Sequence, residues 1–151
     1  MKNKILAGLL ALLGFSVAEL GCGRVEYGMP HADFEVKGKV VDSESKDPIE
    51  GIKVFVKHEG YQDNYYEVMS AETNTAGEYS MRDKQWMYGY GSTLKVITED
   101  IDGESNGGKF AIQTKEIELK KSDFTGGNGW YDGQAEKTVD FELKKITGDE
   151  E

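Results

Sequence analysis

Cysteine occurs once in the 151 residues, at position 22. A single thiol excludes an internal disulfide framework, a multi-cysteine zinc site and an iron–sulfur centre. Proline and histidine occur twice each. The first scarcity excludes a polyproline tract, and the second leaves His31 and His58 as the only imidazole bases. Basic residues number 18 against 28 acidic ones, a formal net charge of −10. Such a polyanion repels phosphate backbones, so nucleic acid is excluded as a partner. Long apolar runs are missing too. The uncharged stretch Ile5 to Ala18 has 14 residues, whereas a membrane-spanning helix needs about 20.

What is present is enough for a folded domain. Hydrophobic residues make up 38% and aromatics 11% of the chain, and 19 glycines supply turns, which argues for a buried core and against wholesale disorder. The stretch Ile5 to Ala18 follows Lys2 and Lys4, and has the length of a signal-peptide apolar region. It runs into Glu19-Leu20-Gly21-Cys22. A lone cysteine directly after a small residue, just past such a run, resembles the lipobox of bacterial lipoproteins, with Glu19 at the place that pattern gives to an aliphatic residue. The resemblance implies cleavage before Cys22, acylation of its thiol by chains such as palmitate, and a permanent membrane tether. The alternative is a secreted chain cut nearby that keeps a free thiol. Residues 1–21 are thus expected to be a signal peptide and residues 22–33, with Pro30 and no periodicity, a flexible tether. Gly23-Arg24-Val25 carries no acidic export cluster, so the expected location is the periplasmic side of the cell envelope rather than the cell surface.

From Phe34 the sequence has period two. Phe34, Val36, Gly38 and Val40 alternate with Glu35, Lys37 and Lys39; Ile52, Val54 and Val56 alternate with Lys53, Phe55 and Lys57. Tyr79 and Met81, then Leu94, Val96 and Thr98, then Phe110, Ile112 and Thr114, then Val139, Phe141 and Leu143 continue the pattern, and Tyr65 to Ser70 supplies a further run. No segment keeps an apolar face at helical spacing for more than about two turns. Short alternating strands between Gly, Asn and Asp clusters predict an all-β, antiparallel, immunoglobulin-like or transthyretin-like sandwich of about seven strands over residues 34–146, followed by an acidic tail, 147–151. Gly51 and Gly77 are expected to turn the chain at positive φ.

Three elements in order, Val36 to Asp42, Pro48 to Val54 and Thr73 to Tyr79, resemble the carboxypeptidase regulatory-like, transthyretin-like sandwich. Over nearly the full length, Tyr27-Gly28-Met29-Pro30-His31-Ala32-Asp33-Phe34 and the late Gly126-Gly127-Asn128-Gly129-Trp130-Tyr131-Asp132-Gly133 block are similar to the radical SAM-associated putative lipoproteins. That resemblance implies location, fold and a neighbouring radical SAM system. With one cysteine the chain is not itself the radical SAM enzyme.

No catalytic set stands out. His31 falls in the tether and His58 at a strand end, both expected as solvated histidines, and no nucleophile is placed beside either. The chain is therefore expected to be a binding or structural module without enzymatic activity and without a cofactor. Asp100, Asp102 and Glu104 lie in the most acidic loop, where alternating carboxylates could wrap calcium; their spacing departs from the twelve-residue calcium loop, and a solvated hairpin is the competing account. Gly126 to Gly129 lacks the Lys-Ser/Thr and the helix of a phosphate cradle. Trp86, Tyr88, Trp130 and Tyr131 stand beside glycine turns and are the candidate ligand-binding residues, able to stack on a sugar or grip a peptide, with coverage of the sandwich ends as their alternative role. A protein, peptide or glycan is accordingly the expected partner, besides the membrane itself, and carbohydrate capture is the alternative function.

Overall fold

The computed structural model describes residues 28–59, 65–86, 90–91 and 93–146. The expected signal peptide, Cys22, Tyr88 and the acidic tail lie outside the described residues. Strict alternation makes the first strand, β1 (His31–Asp42), with Ala32, Phe34, Val36 and Val40 buried on one side. Its apolar face needs a second layer. The remaining strands are β2 (Ile52–Glu59), β3 (Tyr65–Glu72), β4 (Glu78–Trp86), β5 (Thr93–Asp100), β6 (Gln113–Glu118), β7 (Thr125–Asn128), β8 (Tyr131–Thr138) and β9 (Phe141–Leu143). A single turn of 3-10 helix, Lys121–Asp123, precedes β7.

One sheet has the order β4-β1-β8-β7, with β9 also on β1; the other has the order β3-β2-β5-β6. Between them Phe34, Val36, Ile52, Val54, Val56, Leu94, Val96, Phe141 and Leu143 form a single core. The expected β-sandwich is therefore the architecture. Two details depart from expectation. Nine strands are present among the described residues rather than about seven. β8 and β9 run parallel to β1, whereas the other pairs are antiparallel.

Local chemistry explains several boundaries. β1 opens at His31, ahead of the boundary expected at Phe34, because the His31 N–H donates to the Trp130 carbonyl at 2.9 Å and joins the sheet. The run from Thr138 to Lys144 keeps one register against β1, yet it is interrupted at Val139 and Asp140: the Val139 carbonyl accepts the Tyr79 hydroxyl at 2.5 Å, and the Asp140 carboxylate accepts the Lys39 N–H at 2.8 Å. Phe110 is buried but makes only a bridge with Lys145, and Ile112 is exposed, so the expected strand there begins at Gln113 instead. Gly51 and Gly77 take φ of 79° and 71°, as expected of architectural turns.

Candidate functional site

Because β2 and β5 run alongside the first sheet, the sandwich has two ends. At the His31 end lie the start of β1, the β7–β8 hairpin and residues 90–91; at the Asp42 end lie the β1–β2 and β5–β6 connections. Gly129 at φ 63° opens the two-residue hairpin loop between Asn128 and Tyr131, which pushes Trp130 outward, 43% exposed. The Tyr131 and His31 rings lie 5.5 Å apart, and Gly28 packs near the Trp130 ring. Beside them the Tyr90 ring stands edge-on to Phe124 at 5.5 Å, with the Lys121 ammonium over its face at 5.7 Å. A hydrogen bond to the Asp132 carboxylate holds the Tyr90 phenol above its ordinary pKa, burial adding to the effect. Trp130 and Tyr131 thus stand with His31 at this end of the sandwich, where Met29 (64% exposed) and Tyr90 (38% exposed) are exposed as well.

Trp86 does not belong to that surface. It is only 2% exposed, with its ring 4.8 Å from Phe34 and 6.4 Å from His58. The cause is a β-bulge. Phe34 stands opposite Asp83, but Ala32 stands opposite Trp86, so β4 carries one extra residue there. The extra residue reverses the alternation set by Tyr79 and Met81, and Trp86 turns inward instead of outward. Neither histidine is a solvated loop residue: His31 starts β1, and His58 is half-buried in β2 against Trp86.

The acidic loop is organised by its own backbone. One Asp100 carboxylate oxygen accepts the N–H groups of Asp102 and Gly103 at 3.3 and 3.0 Å, and the other accepts that of Phe110 at 2.8 Å. Asp102 accepts the Asn106 amide at 2.5 Å, while Glu104 is exposed. The three carboxylates do not converge, and among the described residues no group of three or more His, Cys, Asp or Glu could hold a metal ion.

The outward face of the first sheet holds a recess of about 340 Å³ lined by Asp33, Glu35, Arg82, Asp123, Gln134 and Glu136, among others. Its carboxylates are engaged. Asp33 pairs with Arg82 at 2.6 Å, Glu136 with Lys37 at 2.8 Å and Asp123 with Lys137 at 2.7 Å, and Glu35 accepts the Ser80 hydroxyl at 2.8 Å. The Lys137 ammonium, with the Lys120 N–H, holds the Asp123 carboxyl below its ordinary range. No motif marks the recess in the sequence, although the outward positions Glu35, Lys37 and Ser80, Arg82 announce a polar, charged face by their parity.

No family model and no curated protein matches the sequence. Solved structures do share the fold. Catechol 1,2-dioxygenase from Acinetobacter is 13% identical, with a TM-score of 0.50, over 82% of this chain and 55% of that one. Transthyretin from Sparus aurata is 10% identical, with a TM-score of 0.46, over 72% and 90%. The C-terminal domain of a shaft pilin from Lactobacillus rhamnosus GG is 10% identical, with a TM-score of 0.45, over 76% and 98%. At these identities the likeness concerns the fold alone.

Proposed function

We propose that the chain is a lipid-anchored protein of the bacterial envelope whose sandwich is a non-catalytic binding or structural module, held on the periplasmic side and working beside a radical SAM system. The observation that carries this reading is the apolar run Ile5 to Ala18 leading into Glu19-Leu20-Gly21-Cys22, with the only cysteine of the chain at its close. The ion pairs that hold Asp33, Asp123 and Glu136 in the recess support the non-catalytic part, since an acid or base fixed in an ion pair is poorly disposed to exchange protons with a substrate. Carbohydrate capture is the lesser reading: Trp130 and Tyr131 are available to it, but Trp86 is lost to the core.

Replacing Cys22 by serine tests the anchor. The expected result is accumulation of a larger, unprocessed precursor and loss of the labelled acyl chain. Unchanged processing, with the protein still in the detergent phase, would overturn the reading.

A further inference from the structure

The two ends of the sandwich differ in chemistry. At the His31 end the exposed apolar side chains among the described residues are Met29, Tyr90 and Trp130. Among the described residues the charges beside them pair off: Lys120 with Glu118 at 3.3 Å, and Lys121 over Tyr90 while Asp132 bonds its hydroxyl. At the Asp42 end Glu44, Asp47, Glu50, Asp100, Asp102 and Glu104 crowd the two connections. Ile101, Ile112 and Ile146 are exposed there, and although Lys46, Lys109, Lys144 and Lys145 offset part of the charge, carboxylates outnumber them and an anionic lipid surface repels the excess.

Chain length fixes which end meets the bilayer. β1 has 12 residues, a length of about 40 Å at ~3.3 Å per residue. From Cys22 to Gly28 the chain advances six residues, at most about 20 Å even when fully extended. The tether is thus shorter than the strand it feeds, and the end where β1 begins stays next to the anchor.

We propose that the His31 end is the membrane-facing surface of the sandwich, with Met29, Tyr90 and Trp130 seated in the headgroup region of the bilayer to which Cys22 ties the chain. Tryptophan and tyrosine favour that region because each joins an apolar ring to a polar group that stays hydrated. Methionine adds a flexible apolar contact. The proposal rests on the lipid-anchor reading for its geometry, and on the exposed patch and the charge asymmetry for its chemistry.

The two tryptophans make the test direct, since Trp86 is buried and Trp130 exposed. The processed full chain is placed in vesicles of phosphatidylethanolamine and phosphatidylglycerol whose acyl chains carry bromine near the glycerol. The expected result is loss of the exposed component of tryptophan emission, with a shift to shorter wavelength. Trp130→Phe abolishes this loss while keeping the Trp86 emission that reports an intact core, and Met29→Ser reduces it. Equal quenching in the parent and Trp130→Phe overturns the proposal, as does Trp130 remaining open to aqueous acrylamide on the vesicles. Protection of Trp130 by soluble oligosaccharides but not by lipid also overturns it, in favour of glycan capture. The anchor is scored separately by intact mass and detergent partition. If Cys22 carries no lipid, the free chain added to the same vesicles decides: retained quenching of Trp130 sustains the surface, and absent quenching ends it.

Discussion

Trp86 and Trp130 are the same side chain with opposite tasks. Trp86 fills the space between Phe34 and His58, whereas Trp130 leans out from a hairpin loop. Trp86→Ala would remove a large buried ring and leave a cavity, with an expected loss of about 3–5 kcal/mol of stability. Trp130→Ala is expected to change stability by only about 0.5 kcal/mol. Urea unfolding of both variants checks the contrast; equal losses would contradict the packing described. Thr73 shows the same residue-level economy in polar form. Its buried hydroxyl donates to the Ile49 carbonyl at 2.7 Å and accepts the Ile52 N–H at 3.0 Å, fixing the turn into β2.

At the scale of elements, the joint between β8 and β9 depends on Gly38. A Cβ at that position would land on the Val139 carbonyl and press on the Tyr79 ring. Gly38→Ala is therefore expected to cost about 3 kcal/mol by forcing β1 and the crossing chain apart. Gly103 has φ 68° with open space around its missing Cβ, so Gly103→Ala should lose only about 1 kcal/mol, the strain of a left-handed backbone. Thermal unfolding of the pair measures the difference, and a Gly38→Ala variant as stable as the parent would remove the proposed role of the close approach. The alternation that builds β1, β2 and β5 was legible in the sequence, down to the outward Phe55 with the Lys53 and Lys57 ammonium groups 5.0 and 5.4 Å from its ring. Strand direction was not legible, because a period of two is the same for parallel and antiparallel neighbours. Nor was the inward turn of Trp86, since one inserted residue in β4 inverts every later position, and nothing in Lys84-Gln85 marks it. Of the candidate aromatic site, Trp130 and Tyr131 were visible through their glycine hairpin. Tyr90 and Met29 join them only through folding.

For the molecule as a whole, carboxylates set the acid response. The Glu44 N–H holds the Asp42 carboxyl below its ordinary 3.8, aided by the Ser45 N–H and Lys145 and opposed by burial. Lys53 and Lys137 act in the same direction on Glu67 and Asp123. A carboxylate lowered in the folded state stabilises it above the unfolded pKa and ceases to do so as pH falls through the folded one. Urea midpoints are thus expected to be flat from neutral pH down to the ordinary carboxylate range and to fall below it. Asp42→Asn keeps an oxygen for the Glu44 N–H but removes the titration, so its acid limb should be shallower; an unchanged limb would show that Asp42 is not among the groups responsible. Tyr79 acts at the opposite extreme. Burial raises its phenol, so its contribution is present through neutral pH and is lost as strong alkali ionises it.

The parallel pairing of β1 with β8 and β9 imposes an order of events on the chain's birth. Lys39 on β1 and Asp140 in the crossing segment are 101 residues apart in sequence. β1 is among the first parts of the sandwich to emerge from a ribosome or a translocon, yet one of its edges stays open until nearly the last strand arrives. Contacts of such separation fold slowly, because a long loop must close before they form. A chain that emerges amino terminus first therefore stays incomplete until almost all of it has emerged. The sandwich reaches its final form only once its last strands are free to join β1.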